Sequence, residues 1–189
     1  MTVKYRYYIG GDPGGTGAAA IFNSDGRLVE IIRFNTLSRR EVLEAFVLFR
    51  KLSTGEILTA IEDVSSMPRD YKPQLFTFGK NEATLMCGFY LLSTKDPMPI
   101  YSKTWQREFR LGAPYPTTAD RKRAHQKVAQ ELFPEIRVTL DTADALLIGL
   151  YLVRYHKGEL THGRIKGAER RGEGILWETL QSVPKLRKT

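Results

Sequence analysis

Residues 5–17, Tyr-Arg-Tyr-Tyr-Ile-Gly-Gly-Asp-Pro-Gly-Gly-Thr-Gly, decide how the rest of the chain is read. Aromatic and aliphatic β-formers run from Tyr5 to Ile9 and give way to glycine. That predicts a strand over Tyr5 to Gly11 ending in a tight turn. Asp12 stands where the strand meets the turn. Beyond it, Thr16 to Phe22 reads as a second strand, Asn23-Ser24-Asp25-Gly26 supplies hairpin turn chemistry, and Arg27 to Phe34 returns as a third. Three antiparallel strands therefore open the chain.

Helical and extended patterns then alternate. Val42, Leu43, Ala45, Phe46 and Phe49 give Ser38 to Leu52 a helical spacing, capped by Ser38 or Thr36. Ile57 to Val64 is apolar enough for a central fourth strand. Leu75 to Leu92 predicts a helix with large residues on more than one side (Phe78, Leu85, Met86, Phe89, Tyr90), suited to the core or to an oligomer interface. Pro99 to Lys103 makes a short fifth strand. Thr117 or Thr118 caps a basic helix ending near Phe133, and Asp141 opens a last helix to about His156. The order βββαβαβαα predicts an α/β fold: a mixed five-stranded sheet, its first three strands antiparallel, flanked by helices in the RNase H-like arrangement. Glycine and charge dominate from Lys157 to Gly174, so the expected division is a domain over 1–156 and a basic, flexible tail over 157–189.

With 189 residues, 42% of them hydrophobic and 11% aromatic, the chain can bury a proper core. It has no signal-peptide pattern and no apolar run of about 18 residues, so a cytoplasmic protein without a membrane span is expected. Cys87, the single cysteine, has apolar neighbours that predict burial. The net charge is +8, and it is uneven: residues 101–137 and 157–189 each carry eight Lys/Arg against four Asp/Glu. Such basic segments suit a polyanion such as nucleic acid.

Four carboxylates stand beside apolar sequence: Asp12, Glu62 at the end of Ile57-Leu58-Thr59-Ala60-Ile61-Glu62, and Asp141 and Asp144 before Ala145 to Val153. Burying a carboxylate is costly unless a cation or partner neutralises it. Several meeting at one point suit a hard, oxygen-preferring ion, Mg2+ or Mn2+, and four could hold two such ions for phosphodiester hydrolysis. Each also has a plainer explanation. Asp141 serves equally as a helix N-cap, Asp12 as turn chemistry, and Glu62 competes with Asp63 on the opposite face of its strand. The glycine loop also fits the phosphate-binding hairpin of actin-like ATPases and sugar kinases. Those close two domains over a nucleotide and lack the Asp-x-x-Asp helix, so no nucleotide cofactor is expected. A DEDD exonuclease needs Asp-x-Glu where Gly14 stands. A purely DNA-binding protein would leave the inward carboxylates unexplained.

Ile9-Gly10-Gly11-Asp12-Pro13-Gly14, Ala60-Ile61-Glu62 and Asp141-Thr142-Ala143-Asp144-Ala145-Leu146 together resemble the three motifs of the RuvC family of Holliday junction resolvases, more its phage branch than its bacterial one. The resemblance covers about residues 5–156 and selects Glu62 over Asp63. It implies a homodimer that binds four-way DNA junctions and makes paired nicks with two Mg2+ or Mn2+ ions per site, held by Asp12, Glu62, Asp141 and Asp144. It also implies that the helix Leu75 to Leu92 builds the dimer. Arg121, Lys122, Arg123 and Lys127, with Lys103 from the preceding strand, match the family's phosphate-binding positions. The aromatic wedge of bacterial members is replaced by Ser65, leaving Met67 or Tyr71 to unstack bases. Trp105 is expected to be buried rather than stacked on a base, and His125 receives no role.

Overall fold

The computed structural model describes residues 5–63, 72–112 and 114–161. Met67, Tyr71 and most of the tail, from residue 162, lie outside this range. Five strands, β1 (Tyr5–Asp12), β2 (Ala18–Asn23), β3 (Leu28–Arg33), β4 (Glu56–Asp63) and β5 (Met98–Tyr101), form one open sheet in the order β3-β2-β1-β4-β5. The β1–β2 and β2–β3 pairs are antiparallel, whereas β4 runs parallel to β1 and β5 parallel to β4. The helices are α1 (Arg39–Leu52), α2 (Lys72–Leu92), α3 (Ser102–Glu108), α4 (Thr118–Leu132) and α5 (Ala143–Lys157). This is the mixed sheet with flanking helices expected from the element order.

Side chains alternate across a strand, and here the alternation separates two cores. Ile9, Ala19, Ile21, Ile57 and Ile61 pack with Val42 and Phe46 of α1 and Leu85, Phe89 and Leu92 of α2. Tyr8, Ala18, Ala20, Phe22 and Ala60 face the other way, against α5, Trp105 of α3 and Ala129 of α4. Contact between α5 and the sheet is close enough to depend on glycine. A Cβ added at Gly10 would lie 2.2 Å from the Gly149 nitrogen, and one added at Gly149 would lie 2.4 Å from the Phe22 ring. Both collisions involve packed or backbone atoms with little room to yield. Gly10→Ala is therefore expected to destabilise the protein by at least about 3 kcal/mol, read as a lower urea midpoint; an unchanged midpoint would mean that α5 does not sit on β1.

Several boundaries differ from the sequence expectation for local reasons. β2 starts at Ala18 rather than Thr16, because Gly17 N–H donates to Gly14 O and closes a turn over residues 14–17. The fifth strand ends at Tyr101, and Ser102–Glu108 forms the additional short helix α3, which places Lys103 on a helix instead of a strand. α5 begins at Ala143, not Asp141: Thr142 and Ala143 N–H both donate to Thr139 O, and Thr142 occupies the cap position. Cys87 is exposed on α2, not buried. It shares the outer side of that helix with Phe76, Tyr90 and Leu91, each about half exposed or more. No helix among the described residues is long and apolar enough to cross a membrane.

Candidate metal centre at the carboxyl edge of the sheet

β1 and β4 run parallel in the register Gly10↔Ala60 and Gly11↔Ile61, so one further step sets Asp12 beside Glu62. Asp12 ends β1 and Glu62 stands one residue before the end of β4, both on the face covered by α5. Open α/β sheets bind ligands at this carboxyl edge. Strand alternation also separates Glu62 from Asp63: Glu62 pairs with Ile100 of β5, a member of the α5-side core, and is buried, whereas Asp63 is half-buried. The first turn of α5 brings Asp144 to the same edge.

Electrostatics ties these three carboxylates together. The Asp12 carboxyl is pushed up to about 7, first by burial, then by the Asp144 and Glu62 charges, against the opposing pull of the Gly14 N–H and the Lys122 ammonium. Glu62 is also raised, chiefly by burial and further by Asp144, while bonds from Ser102 and Trp105 and the charge of Arg121 hold it down. Buried like charges raise one another in this way when no cation neutralises them.

One oxygen of each carboxylate is held by a protein donor. Gly14 N–H donates to Asp12 Oδ1 at 2.8 Å. Ser102 Oγ and Trp105 Nε1 donate to Glu62 Oε1 at 2.6 and 3.0 Å. His125 Nδ1 lies 2.7 Å from Asp144 Oδ1. The second oxygens, Asp12 Oδ2, Glu62 Oε2 and Asp144 Oδ2, take no part in these bonds. Among the described residues no three Asp, Glu, His or Cys side chains stand in ready coordination geometry. An ion would have to draw the carboxylates inward through those second oxygens. The donor set itself, all carboxylate oxygen, fits a hard divalent ion.

Asp141 is not part of this electrostatic group. Its carboxylate accepts from Asn35 Nδ2 at 2.8 Å, just beyond β3. The basic residues also divide. Arg121 and Lys122, one turn before His125 on α4, act on Glu62 and Asp12. Arg123 and Lys127 are each two residues from His125, hence nearly opposite it on the helix. Both are exposed, and Arg123 pairs with Asp120 at 3.4 Å. Lys103 is exposed on α3.

Besides Ser102, which donates to Glu62, three residues at the edge escaped the sequence reading of the site. Trp105 is buried as expected, yet its indole N–H serves Glu62. Asn81 of α2, also buried, donates from Nδ2 to Gly14 O and Gly15 O at 2.9 and 3.2 Å and so ties the Asp12 loop to that helix. His125 is buried against Trp105. Its position on the stripe Ala124, Val128, Ala129 of an otherwise polar helix was a readable signal of burial; its partner was not.

No protein-family model and no curated protein sequence matches the chain. Solved structures do. The Thermus thermophilus RuvC structure superimposes with a TM-score of 0.50 at 14% identity, covering 81% of this chain and 97% of that one. T. thermophilus RuvC in complex with a Holliday junction substrate gives 0.51 at 12% identity, covering 82% and 98%. The chain shares their fold. At such identity the likeness extends to the sheet and its helices, and the chemistry of the edge has to be argued from this protein's own residues.

Proposed function

We propose that the protein is a divalent-metal-dependent endonuclease of branched DNA, which resolves four-way junctions by paired nicks as a homodimer. The observation that carries this reading is the meeting of Asp12, Glu62 and Asp144 at the carboxyl edge, with Arg121 and Lys122 beside them. A solvated acidic surface would need neither the burial nor the cationic flank. The shared fold with a resolvase solved on its junction supports the choice of substrate.

In this reading Asp12, Glu62 and Asp144 hold Mg2+ or Mn2+. Asp141 is a fourth donor that joins only on leaving Asn35. Bound there, the two ions supply a Lewis acid that activates water and stabilises the departing oxygen of a phosphodiester. The protein's part is placement. The Gly14–Gly17 turn fixes Asp12, and the bond from Ser102 fixes Glu62. Asp144, the most open of the three, faces the incoming strand. Arg121 and Lys122 draw phosphates to that edge, while Lys103, Arg123 and Lys127 offer further contacts on the outer faces of α3 and α4. Phe76, Tyr90 and Leu91 on the outside of α2 supply the apolar surface for a two-fold dimer.

A cleavage panel of four-way junction, fork, flap and linear duplex tests the proposal, each substrate with Mg2+, Mn2+ or EDTA. Symmetric nicks in the junction with either metal, and none in EDTA, are expected. Failure to cut any branched substrate with either metal would remove the nuclease assignment.

A further inference from the structure

His125 is buried at a cost the fold does not recover by packing alone. Its side chain is 2% exposed, and its Nε2 has no hydrogen-bond partner among the described residues. An unpaired buried nitrogen costs about 1–3 kcal/mol, and an apolar side chain in the same space would not incur that cost. What the imidazole supplies instead is Nδ1, 2.7 Å from Asp144 Oδ1. An ionised carboxylate can only accept, so Nδ1–H is the donor. Trp105 does the equivalent for the second carboxylate, giving its indole N–H to Glu62 Oε1 at 3.0 Å.

The two donors also fix one another. The Trp105 and His125 rings meet edge to face, with centroids 5.2 Å apart and planes at 76°, and the Tyr115 ring also meets the imidazole in a T-shaped contact at 6.4 Å. One ring comes from α3 and the other from α4, so the separation of these helices sets the separation of the carboxylates they hold. Each donor occupies one oxygen and leaves its partner free to face the edge.

We propose that His125 and Trp105 are a positioning pair that presets Asp144 and Glu62 for metal. This rests on the metal-site reading above. Neither ring touches substrate or ion; both act through the carboxylates they orient.

The test uses the full-length protein and follows Mn2+ binding by electron paramagnetic resonance without DNA, beside the Mg2+ concentration that half-saturates junction cleavage. His125→Phe keeps a buried ring and removes the donor, His125→Asn keeps a donor near the Nδ1 position, and Trp105→Phe removes only the indole N–H and part of the ring. His125→Phe and Trp105→Phe are each expected to weaken Mn2+ binding about 10- to 100-fold, the usual cost of losing a ligand's supporting hydrogen bond. Junction binding in EDTA is expected to stay unchanged, and His125→Asn to recover most of the lost affinity. Nitrogen-15 shifts of the wild-type ring should report a protonated Nδ1 and a bare Nε2, a pattern altered in Asp144→Ala. If the folded variants bind Mn2+ as tightly as the wild type, the positioning pair is refuted while the metal site stands. A wild-type protein that binds no Mn2+ refutes both, and the ring shifts then show whether the His125–Asp144 bond exists as a purely structural one.

Discussion

Asp12→Asn is expected to bind four-way junctions normally and to cut them at least about 10²-fold more slowly, the scale of removing one preorganised electrostatic element from an active site. The substitution is almost isosteric. The amide oxygen it introduces can still accept from Gly14 N–H, so the turn over residues 14–17 should persist. What disappears is the negative oxygen facing Glu62 and Asp144. Asp144→Asn should behave alike. Asp141→Asn should lose distinctly less, because that carboxylate is engaged with Asn35 and is not among the charges that raise Asp12 and Glu62. Rates from single-turnover cleavage, with affinities from gel shift in EDTA, separate these cases. Equal losses at all three positions would make Asp141 as strong a ligand of the centre as Asp12 and Asp144. Undiminished cutting by Asp12→Asn would exclude Asp12 from it.

The second large effect is on stability. Burial, followed by the Asp144 and Glu62 charges, pushes the Asp12 carboxyl up to about 7, so the metal-free fold prefers it protonated. A group raised on folding contributes stability that is fully present below its unfolded value, about 4, and is lost as pH rises through about 7. Without metal the protein should therefore become less stable between pH 4 and pH 8, by up to roughly 4 kcal/mol from Asp12 alone. Glu62, also raised by burial, acts in the same direction. At pH 8 in EDTA, Asp12→Asn should be more stable than wild type by about 2–4 kcal/mol, since it removes one of the buried like charges. Mg2+ should stabilise the wild type at pH 8 and the variant much less, because a ligand stabilises only the state that binds it. Urea denaturation at pH 5 and 8, with and without Mg2+, reads all of these. A flat pH profile for the metal-free wild type would contradict the buried-carboxylate geometry.

The same residues thus tie catalysis and stability together, and their spacing in sequence explains what could be read from it. The sheet was legible because its signals are local: β-formers ending on Gly10 and Gly11, the Asn23–Gly26 turn, and an apolar β4. Alternation then distributed Ile9 and Tyr8 to opposite cores. The candidate ligands were legible for a related reason. A carboxylate that ends an apolar strand, or that precedes Ala145 and Leu146, stands out against its own neighbours.

What stayed hidden depends on distant partners. Ser102–Glu108 is too short to display a helical period, and it forms where Ser102 and Trp105 reach back to Glu62, some 40 residues earlier. Asp141 carries every local mark of a helix start, but the turn at Thr139 and the bond from Asn35 assign it elsewhere. His125 lies in a run of cations, and its bond to Asp144 spans two helices. Cys87 illustrates the converse error: apolar neighbours along a helix do not share its face, and Leu85 and Phe89 turn inward while Cys87 turns out.

The central claim is that Asp12, Glu62 and Asp144 close on divalent cations. The most direct measurement is anomalous scattering from crystals soaked in Mn2+. Density expected under this account lies within about 2.0–2.3 Å of oxygens from all three carboxylates, the distance range of a small hard cation. Strong anomalous peaks elsewhere, with none at the edge where β1, β4 and α5 meet, would contradict it.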